Sequence, residues 1–209
     1  MSAPKLRILL VGASGTLGKA VAAELSVRHE IITAGSKSGD IRIDMTDPAS
    51  IVAGLAKAGP LDAVACAAGH VPFAPLAAFK PARVEEAGYG FGLRDKLMGQ
   101  VNLTLAARDC LRDGGSVTLI SGLLSEHPIA AGSSASMVNG ALESFVRAAA
   151  IELPRGLRIN LVSPNVFTES MGSYGPFFRG FEPVPVARAA LAYSRSAEGL
   201  QTGQIYKVY

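Results

Sequence analysis

Short apolar runs alternate with stretches of helical spacing along the whole chain. Residues 6–11 form a continuous run of Leu, Ile and Val broken only by Arg7, the pattern of a strand covered on both faces. Residues 16–28 place Leu17, Val21 and Leu25 four apart, which is one face of a helix. Residues 31–34 and 41–44 read as two more strands. Residues 48–58 read as a helix, with Asp47 at its N-cap and Pro48 at its first position. Residues 63–67 predict a fourth strand. Residues 80–111 read as mostly helical, interrupted around 88–92. A fifth strand is expected over 117–121, a long helix over 134–153 ended by Pro154 and Gly156, and final strands over 158–162 and 205–208.

Strand–helix alternation of this kind implies parallel strands joined by crossover helices. The expected fold is α/β: one Rossmann domain, a doubly wound parallel sheet of about seven strands with helices on both faces. No internal repeat or low-complexity linker divides the chain. Residues 169–185 stand apart, with Phe177, Phe178 and Phe181 among Gly and Pro, and read as a mobile, lid-like loop.

The composition fits this picture. Of 209 residues, 49% are hydrophobic and 18% charged, which excludes a disordered chain. Aromatics are 6% and Trp is absent, so small side chains must pack the helices closely on the sheet. The two cysteines, Cys66 and Cys110, make no disulfide framework and read as buried thiols; no metal site is expected. No apolar run reaches membrane-span length, and the lead into the first strand lacks a signal peptide's cleavage site, so a cytoplasmic protein is expected. The net charge is +3, and the basic residues are scattered, which argues against nucleic acid and leaves room for an anionic small molecule.

The strongest motif follows the first strand and opens the first helix: Gly12, Ala13, Ser14, Gly15, Thr16, Leu17, Gly18. In that context Gly12 permits the tight turn, Gly15 admits a pyrophosphate and Gly18 lets the helix approach the strand. The free amides at the helix start favour phosphate charge. After the second strand come Ser36, Lys37 and Ser38, with no carboxylate before Asp40. A carboxylate there would bind a ribose hydroxyl; Ser and Lys suit a 2′-phosphate, so NADP(H) is expected over NAD(H), the alternative being a solvated turn.

These residues resemble the short-chain dehydrogenase/reductase family over nearly the whole chain. The resemblance implies that Asp44 lies near the adenine, and that Cys66, Ala67, Ala68 and Gly69 correspond to the family's Asn-Asn-Ala-Gly. It places Pro164 and Thr168 toward the nicotinamide half, with Asn165 where the family has Gly. Asn139 to Glu143, followed by Ala150 to Leu153, matches the long active-site helix. The family's Tyr-x-x-x-Lys is missing: Ala135 falls at the Tyr position and Asn139 at the Lys position. Gly122 falls at the position of the usual Ser, beside Ser121. The Asn of the preceding helix matches Lys96. The resemblance therefore leaves Ser121, Lys96 and Asn139 as candidate catalytic residues. Lys96 reads either as a cation aimed at the vacated centre or as a surface lysine, and Asn139 either as a ribose contact or as a helix residue bonded to a nearby loop.

Other candidate acids are His70, His127, Ser125 and Tyr174. A histidine near the cleft suits proton transfer, or merely lines it. His29, at a helix end, reads as a surface residue. Two functions follow: an NADP(H)-dependent oxidoreductase with a non-standard proton donor acting on a small, flat or hydrophobic acceptor, or a catalytically degenerate NADP(H)-binding sensor or scaffold. Met137 filling the vacated centre would favour the second. The small apolar surface at Ala148 to Ile151 suggests a homo-oligomer.

Overall fold

In the computed structural model, residues 4–86 and 88–209 are described; residues 1–3 of the expected lead and Ala87 in the expected helix lie outside them. Seven parallel strands form one sheet in the order β3-β2-β1-β4-β5-β6-β7. The strands are β1 Arg7–Val11, β2 Glu30–Gly35, β3 Ile41–Arg42, β4 Leu61–Cys66, β5 Leu111–Ile120, β6 Arg158–Pro164 and β7 Ile205–Val208. Strand order reverses between β1 and β4, whose ends are in register at Val11 and Cys66. Ligands of doubly wound sheets bind at the carboxyl ends beside such a reversal.

Successive β1 side chains enter different cores. Ile8 and Leu10 join Leu17, Val21 and Leu25 of helix α1 (Thr16–Ser26) and Ala189, Tyr193 and Ala197 of helix α7 (Val186–Glu198). Leu9 and Val11 join Ile51 of α2 (Pro48–Ala58), Leu103 of α4 (Gly99–Cys110) and Val138, Leu142 and Val146 of α5 (Ser133–Glu152). Both faces are dry, which explains the lack of polar alternation in the strands. Asp47 caps α2 as expected, its side chain accepting from Ala49 N at 2.9 Å.

Three elements differ from the pattern-based expectation. The long helix over 80–111 begins only at α3 (Gly90–Gly92), passes through a π-helical stretch at Leu93–Met98 and continues as α4. The glycines there are contact points, not breaks: a Cβ on Gly92 would meet Val71 Cγ1 at 2.9 Å, and one on Gly90 would strike the Val84 carbonyl. Helix α7 is an addition to the expected elements: its eight buried residues are four alanines, two serines, one valine and one tyrosine, with no Leu, Ile or Phe to draw the eye to the stripe. The expected loop over 169–185 instead carries helical turns at Thr168–Ser170 and α6 (Met171–Tyr174), with Phe178 and Val184 buried.

Two smaller corrections concern single residues. His29 is buried rather than superficial, because its ring accepts from Leu6 N at 3.3 Å and meets Glu198 Oε1 at 3.1 Å. Cys66 is buried but Cys110, at the end of α4, is only half-buried.

Candidate functional site

Two clefts open side by side at the carboxyl ends of the strands, joined at Gly69 and His70, which line both. The larger, about 400 Å³, lies over the glycine loop. The smaller, about 220 Å³, lies between the ends of β5 and β6 and the segment carrying Tyr174 and Phe178.

The glycine loop forms the floor of the larger cleft. Gly12 has φ +86°, and a Cβ there would lie 2.8 Å from the Ala67 carbonyl, so only glycine lets the loop sit against the end of β4. Gly18, buried in the first turn of α1, allows no Cβ at all, because Gly12 O and Ala13 Cα already fill that space. Gly15 is the N-cap of α1 and has room, its nearest obstacle being Gly12 O at 3.6 Å. Gly12, Ser14, Gly15, Ser36, Lys37, Asp44, Ala67, Ala68 and Gly69 all line this cleft. Leu17 and Gly18 sit behind it as buried packing, and Thr16 is exposed on α1.

The charged residues that line the cleft are one cation, Lys37, and two carboxylates, Asp44 and Asp95. Asp40, the first carboxylate after β2, is turned back: its Oδ2 accepts from Thr33 N at 2.9 Å and Thr33 Oγ1 at 2.7 Å. Those bonds hold its carboxyl below the usual range. The exposed Ser36, Lys37 and Ser38 are therefore left as donors at the rim. Asp44 Oδ1 accepts from Thr46 Oγ1 at 2.7 Å, which lowers its pKa. A cradle of glycine amides at a helix start, with Ser36, Lys37 and Ser38 at the rim, is a donor set suited to a dinucleotide phosphate.

Lys96 marks the floor of the smaller cleft. It lies in the π-helical stretch, 7% exposed, and its Nζ donates to Ser121 O and to Asn139 Oδ1, each at 2.9 Å. The surface reading of this residue is thereby corrected: the side chain is buried and bonded to the end of β5 and to α5. Burial pushes its pKa down to about 8. Burial likewise pushes the neighbouring Cys66 thiol up to about 12. Asn139 completes the link by donating from Nδ2 to Gly122 O at 3.2 Å. Asn139 thus bonds both a loop and a cation.

Ser121 also lines the smaller cleft, but its hydroxyl donates to Glu143 Oε1 at 3.2 Å. Ser125 donates to the same oxygen at 2.6 Å and Ser163 at 3.4 Å. This buried carboxylate went unassigned at the level of sequence. Its place four residues after Asn139, on the same face of α5, was the available signal. Ala135, Pro164 and Tyr174 line the cleft; Thr168 does not, and its N–H bonds Val184 O at 2.9 Å instead. Met137 is 42% exposed and points elsewhere, so the vacated centre remains open. His70 stands at the junction, its side chain 81% exposed, with Asp95 Oδ2 3.9 Å from its ring. His127 is exposed and lies outside both clefts, its ring set against Tyr209 at 5.7 Å, which removes it from the cleft-lining set.

Residues 12–205 match the family model described as enoyl-(acyl carrier protein) reductase, a short-chain dehydrogenase/reductase model. The chain belongs to the short-chain dehydrogenase/reductase family. Among solved structures it is similar to the protein lin1944 from Listeria innocua, with 48% identity, a TM-score of 0.94 and coverage of 98% of this chain and 100% of that one. It shares the fold of a small-chain dehydrogenase in complex with NADPH (22% identity, TM-score 0.83, 98% and 97% covered). It also shares that of a short-chain dehydrogenase/reductase from Serratia marcescens (17% identity, TM-score 0.81, 99% and 97% covered). No curated protein matches the chain. Among the described residues, no helix is long and apolar enough to cross a membrane.

Proposed function

We propose that this protein is an NADP(H)-dependent oxidoreductase that acts on a small acceptor and uses Lys96 in place of the family's tyrosine. The observation that carries the reading is Lys96 itself. A lysine seldom stays buried without a reason, and this one is held by two hydrogen bonds at the floor of an open cleft. That cleft adjoins the glycine loop through Gly69 and His70.

The reduced nicotinamide supplies a hydride when it is bound. The chain supplies the rest. The loop Gly12–Gly18, with Ser14 and the amides of Thr16 and Leu17, cradles the pyrophosphate. Asp44, Ala67, Ala68 and Gly69 bound the adenosine side, and Ser36 and Lys37 receive the 2′-phosphate. Pro164 borders the nicotinamide side. The preference for NADP(H) is supported by the turned-back Asp40 and by the structural neighbour solved in complex with NADPH. Lys96 provides the charge or proton at the acceptor oxygen. Ser121 and Asn139 act on Lys96, the first through its carbonyl and the second through its amide oxygen. Ser121 is thus assigned as a positioning residue, since its hydroxyl proton is directed to Glu143.

A second reading has one observation behind it. Ala135 stands at the tyrosine position, 2% exposed, and puts no phenol at that point of the cleft. A degenerate NADP(H) sensor or scaffold would also tolerate that loss. Under either reading the protein is a cytosolic single domain. It self-associates through the outer face of α4 and α5, where Leu105, Phe145, Ala148 and Ala149 line an apolar hollow.

The deciding experiment is a fluorescence titration with NADPH and NADH, followed by turnover assays with quinone, flavin and carbonyl acceptors. NADPH binding ahead of NADH, with turnover, supports the enzyme. Binding without turnover on any acceptor supports the sensor, and no binding of either nucleotide removes both.

A further inference from the structure

Lys96 has a bonding position to spare. An ammonium carries three N–H donors. Two of them go to neutral oxygens, Ser121 O and Asn139 Oδ1, both at 2.9 Å. Asp95, the adjoining carboxylate, is engaged elsewhere: its Oδ1 accepts from His70 N at 2.7 Å. Among the described residues no carboxylate forms an ion pair with Lys96. A desolvated cation with an unfilled donor is costly, and an anion at the third position would relieve that cost.

The walls say what kind of anion. Val71, Leu123, Leu124, Val166 and Phe178 give the cleft an apolar lining. The Phe73 ring is the centre of an aromatic cluster, with Tyr174, Phe177 and Phe178 at 5.8, 5.3 and 6.5 Å between centroids. Planar ligands gain from such rings through stacking and edge contacts. Lys96 is the only lysine or arginine among the described residues that line the cleft, and the Ser121 hydroxyl is directed to Glu143. An oxygen acid stronger than the ammonium, such as the enolic hydroxyl of a hydroxyquinone, is an anion beside it, whereas an ordinary phenol, with a pKa of about 10, keeps its proton.

We infer that the smaller cleft takes a planar conjugated compound with an acidic oxygen, of the hydroxyquinone class, seated against the Phe73 cluster with its oxyanion on Lys96 Nζ. The inference deepens the oxidoreductase reading and rests on it, since such a compound is then the acceptor or its reduced form.

The test is direct binding. Lawsone, a naphthoquinone with an acidic hydroxyl, is titrated against the whole protein near neutral pH and followed by its visible absorption. Its methyl ether, flat but uncharged, is measured by competition. Lawsone is expected to bind at least tenfold more tightly than the ether, a difference lost in Lys96→Met. Equal affinity of the two for the unaltered protein overturns the inference, with no reliance on how the variant folds. NADPH binding is measured in parallel by fluorescence. Discrimination with NADPH binding supports both readings. NADPH binding without discrimination removes only the cleft ligand, and discrimination without NADPH binding removes only the redox role.

Discussion

Lys96 Nζ lies 2.9 Å from Asn139 Oδ1, joining the π-helical stretch before α4 to the middle of α5 beneath the cleft. In the family the chain resembles, the lysine belongs on the long helix and the asparagine on the preceding one. Here the two residue types have changed places, so a cation is kept at the cleft floor while its backbone attachment has moved. Arrival from the other side frees it from service to a tyrosine that is absent.

Lys96→Met is expected to abolish most acceptor reduction while leaving NADPH binding intact. A positioned acid or charge is typically worth 10²–10⁴-fold. A fall in kcat within that range, with the NADPH dissociation constant changed less than threefold, is the expected outcome. Ser121→Ala should cost far less, because its hydroxyl donates to Glu143 while its carbonyl, which holds Lys96, is retained. Equal losses in the two variants would overturn that division of roles.

Gly15 and Gly18 should respond differently to alanine. At Gly18 the new methyl collides with Gly12 O and with Ala13 Cα at 2.7 Å, all rigid backbone. Loss of several kcal/mol is expected, on the order of the severe core and backbone substitutions. At Gly15 the space is open and φ is −75°, which alanine adopts freely. Gly15→Ala should therefore keep the melting temperature within a few degrees but weaken NADPH binding at least tenfold, because the methyl faces the phosphate cradle. Thermal melts with and without NADPH separate the two.

On the proposed reading, Lys37 carries the cofactor preference. Lys37→Ala should weaken NADPH roughly tenfold, a charge-assisted bond being worth ~1.5–3 kcal/mol when made and less at an exposed rim. NADH, with no 2′-phosphate, should change little. The ratio of the two dissociation constants is the measurement, and an unchanged ratio rejects the assignment.

What the sequence disclosed follows from how local each signal is. The glycine loop, the Asp47 cap and the strand runs are written in adjacent residues, so they could be read without knowing the fold. Lys96 was found only by aligning it with a family position, because nothing local distinguishes a buried lysine from a surface one. The Glu143 cluster collects hydroxyls from the ends of β5 and β6, residues 18 to 22 positions away in sequence. No periodicity encodes such a meeting. Helix α7 lacks large apolar markers: among its buried residues only Val186 and Tyr193 are bulkier than alanine or serine.

That unforeseen helix has a measurable role at the site. Tyr193, fully buried on α7, donates its hydroxyl to Cys66 O at 2.7 Å, at the end of β4 where the cleft begins. Tyr193→Phe keeps the ring and strands the carbonyl, at an expected cost of about 1–3 kcal/mol. Urea denaturation reads it as a lower midpoint with an unchanged slope.

The depressed pKa of Lys96 has a consequence for stability against pH. Its folded value is about 8 and its ordinary value 10.5. Between those values the unfolded chain binds a proton that the folded chain does not, so stability must rise with pH across that window. Below about pH 8 the folded protein holds a desolvated charge, and the contribution is fully unfavourable. Cys66 works the other way, since its thiol stays protonated in the fold up to about 12. Asp95 and His70 lie close by as well. The difference between the unaltered protein and Lys96→Met cancels these common contributions. The unaltered protein should gain on the variant by a few kcal/mol between about pH 8 and pH 10.5, a tenfold change in proton affinity being worth ~1.4 kcal/mol. Parallel urea melts at several pH values measure it. A flat difference would mean that Lys96 titrates as an ordinary lysine, and a difference that falls with pH would mean that an anion holds its charge in the fold.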